Sequence, residues 1–108
     1  MTQVLEIVTT TEDHSQAKAL ANSLIEKRLA ACVQIDGPMQ SVYYWDGEVK
    51  HEAEFRITIK TTSDRADGIQ ELFQKQHPYD LPQWIERPAY QSERGSAYAT
   101  WVKQQVKQ

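Results

Sequence analysis

The Asp46-Gly47 dipeptide, set between two long runs of strand-forming residues, limits what this chain can fold into more than any other feature. Asp-Gly favours a two-residue hairpin turn because both central positions of that turn need positive φ. The incoming arm resumes at Met39 and ends in Val42-Tyr43-Tyr44-Trp45. The outgoing arm alternates, with Phe55, Ile57 and Ile59 on one face and Glu54, Arg56, Thr58 and Lys60 on the other. Each arm of this hairpin reaches roughly 40 Å at about 3.3 Å per residue. The helix expected before it, about 15 residues long, covers only about 22 Å. The overhanging tip is thus aromatic and uncovered, a poor composition to leave in water. Another subunit is the simplest cover. The alternative is a hairpin that bends at Gly37-Pro38 and folds back on its own sheet.

The other elements follow from periodicity. Residues 3–10 read as a strand with Val4, Leu5, Ile7 and Val8 supplying apolar groups to both faces, as a central strand requires. Asp13 is set to cap a helix, with Gln16 three positions on and Glu12 near its positive end. Ala17, Leu20, Ala21, Leu24, Ile25 and then Leu29 recur on one face of that helix. A second strand starts near Ala31, and Gly37-Pro38 interrupts it as a bulge or bend would. Ser63 or Asp64 is expected to cap a second helix with the stripe Ala66, Ile69, Leu72 and Phe73, which Gly68 weakens slightly. His77-Pro78 ends it. Gln83 to Ala89, between Pro82 and Pro88, reads as an edge strand, and a last helix from about Glu93 groups Tyr98, Trp101 and Val102. The fold class is α+β: a ferredoxin-like βαββαβ sandwich with a long hairpin between the second and third strands and an extra C-terminal helix.

Composition bounds the partners. At 108 residues the chain reads as one domain, 1–108, with 40% hydrophobic and 25% charged residues. No apolar run approaches the ~20 residues that span a bilayer, and no basic-then-apolar segment opens the chain. With one cysteine, Cys32, the expected compartment is the cytoplasm. The net charge of −3 and the scattered Lys and Arg offer no path for a phosphate backbone, so nucleic acid is not expected.

Several chemistries of this fold class lack their residues. An RNA-binding sheet stacks bases on aromatics, but the third strand shows Glu54, Arg56, Thr58 and Lys60 there. A copper carrier needs paired thiolates, and the Thr9–Asp13 loop has no cysteine. That loop also has no arginine to hold a phosphate. Cys32, after Ala30-Ala31, reads as a small buried hydrophobe rather than an activated thiol. His14, His51 and His77 are far apart, and His77 suits a capping or packing role better than metal ligation. Glu52 and Glu54 share a strand face, where Lys50 and Arg56 are close enough to neutralise them. Lys60 points away from the apolar face, towards either a subunit boundary or a cleft. Tyr98 and Trp101 read as packing residues. No nucleophile has a base at recognisable spacing, so no catalytic residue and no enzyme is expected.

Taken in order, Leu29-Ala30-Ala31-Cys32, Ser41 to Glu48, Lys60-Thr61-Thr62, His77-Pro78-Tyr79 with Pro82, and Tyr98 with Trp101 resemble the CutA family of divalent-cation tolerance proteins over almost the whole chain. The resemblance implies a homotrimer in which long hairpins join neighbouring sheets, with Tyr43, Tyr44 and Trp45 at the interface. It also implies a likeness to PII signalling trimers, which bind small molecules between subunits. Lys60, Tyr79 and Glu54 are the candidate cleft residues for an anionic small molecule. A link to copper tolerance comes with the family, with no required cofactor. The copper site proposed in some members falls here on Thr9, Gln76 and His77. His77 is thus the one candidate ligand left of the three, with Cys32 as a possible companion. One imidazole does not hold Cu(II) tightly without further ligands. Glu86-Arg87 is also more polar than the apolar run usual in the family's fourth strand.

Overall fold

The structure, a computed structural model, describes residues 2–107. Strand β1 (Val4–Thr11) leads to helix α1 (His14–Glu26), strands β2 (Cys32–Trp45) and β3 (Glu48–Thr62), helix α2 (Ala66–Gln76), strand β4 (Ile85–Pro88) and helix α3 (Ser96–Gln105). The sheet is antiparallel with the order β2-β3-β1-β4. This is the expected ferredoxin-like arrangement. β1 is central, paired with β3 and β4, which accounts for its apolar groups on both faces. β4 is an edge and pairs only with Leu5–Val8 of β1, so Thr9–Thr11 have no partner on that side. Pro88 is tolerated at such an edge because a ladder position there needs no donor.

One sheet face carries the main core. Ile7, Ile57 and Ile59 pack against Ala17, Leu20 and Leu24 of α1 and against Ile69, Leu72 and Phe73 of α2. By strand alternation Val4 and Val8 point to the opposite face. α3 lies against β1 and β3, and its buried Val102, with buried Val106 just past its end, stands outside the main core cluster. It therefore covers part of that second face.

Several boundaries differ from the sequence expectation. Ile25 is exposed, because the buried stripe of α1 narrows to Ala17, Leu20 and Leu24. The Asp13 start holds, with the Gln16 side chain accepting from the Asp13 N–H at 3.3 Å. Neither Ser63 nor Asp64 caps α2. They form a 3-10 turn, Ser63–Arg65, in which Asp64 bonds the Thr62 hydroxyl, and the α-helix begins at Ala66. α3 starts at Ser96 rather than Glu93. Tyr98 and Trp101 pack on each other, with ring centroids 5.5 Å apart, and stay partly exposed instead of joining a core.

The hairpin is as long as its sequence requires. Asp46 (φ 53°) and Gly47 (φ 77°) form the turn. β3 pairs with β1 only from Phe55 to Thr62, so Glu48–Glu54 pair with β2 alone and extend as a two-stranded arm. The molecule accordingly measures 45 × 27 × 21 Å. Gly37-Pro38 forms a bulge: Asp36 faces Arg56, yet Met39 faces Glu54. Gly37 and Pro38 stand opposite the single residue Phe55, and this one extra residue on β2 reverses its alternation. Before the bulge Cys32, Gln34 and Asp36 share the face of Lys60, and after it Met39, Ser41, Tyr43 and Trp45 share the face of Glu54.

Gly37 has φ +129°, and a Cβ there would lie 3.0 Å from the Glu54 carbonyl oxygen. Gly37→Ala should lower unfolding stability by about 1–3 kcal/mol through backbone strain. Urea denaturation of the two proteins measures the difference.

Candidate functional site

The site is built where the chain leaves α2. His77 is the extended residue after the helix, and Pro78 disfavours helical backbone at the position before it. The following segment passes round the end of β1 that β4 leaves unpaired. The contacts place it on both sides of the sheet. His77 meets Thr9 on the core face, while the Tyr79 hydroxyl donates to Glu54 Oε2 at 2.8 Å on the opposite face. Between this segment and the hairpin arm lies a groove of about 860 Å³. Tyr43, Trp45, Glu54, Tyr79, Leu81 and Pro82 line it, with Thr10, Ser41 and Asp80 among the polar groups.

Three groups in the site have displaced proton affinities. Burial raises the Tyr79 phenol well above its ordinary range, followed by the hydrogen bond to Glu54 and the charges of Glu54 and Glu12. Tyr79 is thus a neutral donor to the Glu54 carboxyl. Tyr43 is shifted upward too, first by partial desolvation and then by Glu52, Glu54 and Glu12. His77 is lowered by burial, with a backbone hydrogen bond at Thr10 acting in the other direction. The Tyr79 N–H donates to His77 Nδ1 at 3.1 Å, so the neutral ring carries its proton on Nε2, which lies 3.0 Å from Thr9 Oγ1. Both ring nitrogens are occupied.

The candidate residues are only partly brought together. Tyr79 and Glu54 meet, and Tyr43 and Trp45 join them in the groove. Lys60 does not. It pairs within the chain with Glu6 at 3.5 Å, near the other end of the sheet, and lies outside the groove lining. Cys32 is the cross-strand neighbour of Lys60, on the face opposite the His77–Thr9 contact, so Cys32 and His77 are apart within one chain. Among the described residues no three His, Cys, Asp or Glu side chains gather to hold a metal ion. One chain therefore does not fit a copper site of the proposed kind.

The expected neutralisation of Glu52 and Glu54 is not found. Lys50 pairs with Glu48 at 3.2 Å and Arg56 with Asp36 at 2.6 Å, so both cations are taken by other carboxylates. Tyr44 is 78% exposed at the tip. Asp80, Leu81 and Pro82 were not expected in a site. Their segment has no periodicity, and the one local signal is the pair of prolines, Pro78 and Pro82, that bracket it.

His77 gives the site a pH signature. Its folded-state affinity lies below the ordinary 6.5, so below that pH the unfolded chain binds more protons and stability falls as pH falls. Denaturant unfolding at pH 7 and pH 5.5 should show this loss, and His77→Gln should reduce it.

The family model of the CutA1 divalent ion tolerance protein matches residues 5–105. The divalent-cation tolerance protein CutA of Pectobacterium atrosepticum is 38% identical over 96 residues, which is 89% of this chain and 86% of that protein. The crystal structure of the divalent ion tolerance protein CutA1 from Ehrlichia chaffeensis superposes with a TM-score of 0.90 at 30% identity, covering 100% of this chain and 99% of that one. A structure from Archaeoglobus fulgidus, described as a periplasmic divalent cation tolerance protein CutA, gives a TM-score of 0.88 at 27% identity over 96% of this chain and 99% of that one. The chain belongs to the CutA1 divalent ion tolerance family.

Proposed function

We propose that this protein works as a non-enzymatic, cytoplasmic homotrimer of the CutA type that takes part in the response to divalent metal ions, copper among them. The observation that carries the assembly is the uncovered hairpin arm. Val42, Tyr43, Tyr44, Trp45 and Val49 are all exposed on a two-stranded extension with no helix over it. An isolated two-stranded ribbon is marginal in water, and exposed aromatic strands are interaction surfaces or hazards. Neighbouring copies would supply both the cover and the missing strand partners for the outer edge of β2.

The non-enzymatic part of the proposal is supported by the chemistry of the single chain. Cys32 is partly buried beside Lys60, and His77 has both nitrogens engaged. His14 packs edge-on against Phe55. An anionic ligand in the manner of PII proteins is not favoured, because Lys60 is paired with Glu6 and stands outside the groove. The compartment is checked by fractionating cells that express the protein at its native level.

Sedimentation equilibrium at micromolar concentration should give a trimer, and a monomer would sink the proposal. Trp45→Arg should weaken assembly at least roughly tenfold by placing an unpaired charge in a desolvated contact. An unchanged trimer in that variant puts Trp45 outside the interface. For the metal, Cu(II) titration of wild type and His77→Ala should give equal affinities, since His77 is already committed to Thr9 and Tyr79. A large loss of affinity in the variant would restore His77 as a ligand.

A further inference from the structure

We propose that a cavity of about 340 Å³, between the end of β3 and the last turn of α3, binds a small phosphate monoester, with Arg65 as its anchor and Lys103 and Lys107 completing a cationic wall. The inference goes beyond the assembly reading. It concerns a different place from the groove beside the hairpin arm and from the Lys60 position.

Arg65 closes the Ser63–Arg65 turn that follows β3, and its Nε is buried with no hydrogen-bond partner among the described residues. A guanidinium is a permanent cation, and withdrawing one of its donors from water without an acceptor is costly. Among the described residues no carboxylate pairs with it, since the ion pairs engage Lys50, Arg56 and Lys60. Asp64, its neighbour in sequence, accepts from the Thr62 hydroxyl instead. The Arg65 side chain as a whole is half-buried and lines the cavity. Its outer nitrogens are therefore where an oxyanion reaches a charge that the described residues leave unpaired.

The rest of the lining selects the kind of anion. Lys103 and Lys107 are exposed, line the same cavity, and pair with no acid among the described residues. Three cations against one acid, Asp64, leave two positive charges in excess. A phosphate monoester carries about −1.5 to −2 at pH 7 and takes a guanidinium fork on two oxygens, whereas a carboxylate brings one charge. Thr100 adds a hydroxyl at the rim. The volume stands at the low end of small-molecule sites, about 300–1,000 Å³, which leaves room for the phosphate and a short organic substituent. Access is also favourable. At roughly 100° per residue, Lys103 lies about 140–160° round α3 from Tyr98 and Trp101, while Val102 is buried. The cavity lies at the end of β3 farthest from the hairpin turn. The exposed aromatic surfaces, on the arm and on α3, thus leave it clear.

The test is calorimetric titration of the protein in its native assembly, at low ionic strength and pH 8, with glycerol 3-phosphate, inorganic phosphate and glycerol. Glycerol 3-phosphate should bind saturably, inorganic phosphate no more tightly, and glycerol without measurable heat. Arg65→Lys keeps the charge but loses the planar fork, and should weaken glycerol 3-phosphate about tenfold. Should that variant fail to fold by circular dichroism, Lys103→Gln at its exposed position takes its place, with a loss of about fivefold. No saturable heat from glycerol 3-phosphate in the wild type overturns the proposal. So does tighter binding of inorganic phosphate, equal binding of glycerol, or an unchanged affinity in the folded variant.

Discussion

Strand β3 is longer than the strand it pairs with, and most of what is distinctive in this molecule depends on that mismatch. β1 ends at Thr11 opposite Phe55, so the ladder stops there while β3 continues back to Glu48. Within the ladder, the isoleucines of β3 have helices above them and are fully buried. Beyond it, the same strand has only β2 beside it. Apolar side chains on that arm stay exposed, and among the described residues the outer edge of β2 pairs with no strand. A ferredoxin-like core can be completed by one chain, but this arm cannot be completed in the same way.

The bulge at Gly37-Pro38 determines which residues the arm presents. A continuous ladder would keep even-numbered β2 residues on the face of Lys60 and Glu54 throughout. With the register shifted between Asp36 and Met39, Tyr43 and Trp45 fall on that face instead of Val42 and Tyr44. The segment after α2 then brings Tyr79 to the same face, where its hydroxyl bonds Glu54. A hydrogen bond to a charged acceptor contributes about 1.5–3 kcal/mol. It anchors a stretch without regular structure to the hairpin, so the groove is held by a specific contact rather than by loop packing alone.

The contrast between Lys60 and Glu54 shows why charge in a site is poorly read from one strand. Both face away from the core on β3, six residues apart in number and alike in pattern. Lys60 lies opposite Glu6 of β1 and is neutralised by it. Glu54 lies one position past the end of the β1 ladder and has no such neighbour. The sign of the groove thus follows from where β1 stops. His77 illustrates the same point, since its neighbour in space is Thr9, a residue 68 positions away.

The hairpin turn, the central strand, the core stripes of α1 and α2 and the edge character of β4 could all be read from the sequence, because each rests on local periodicity, turn chemistry or proline. The same reading identified the excess length of the hairpin, since strand rise is nearly constant. It placed Tyr79 and Glu54 as cleft candidates but grouped them with Lys60, assigned Trp45 to a subunit interface, and left Asp80 and Leu81 without a role. Only the tertiary structure decided that Arg56 and Lys50 turn to other carboxylates, that Cys32 and His77 stand on opposite faces, and that a carboxylate among aromatic rings forms the groove. Those outcomes depend on register and on a bulge of one extra residue, and a shift of one position in pairing exchanges the faces of every residue beyond it. Local chemistry set the elements; long-range pairing decided which of their side chains meet.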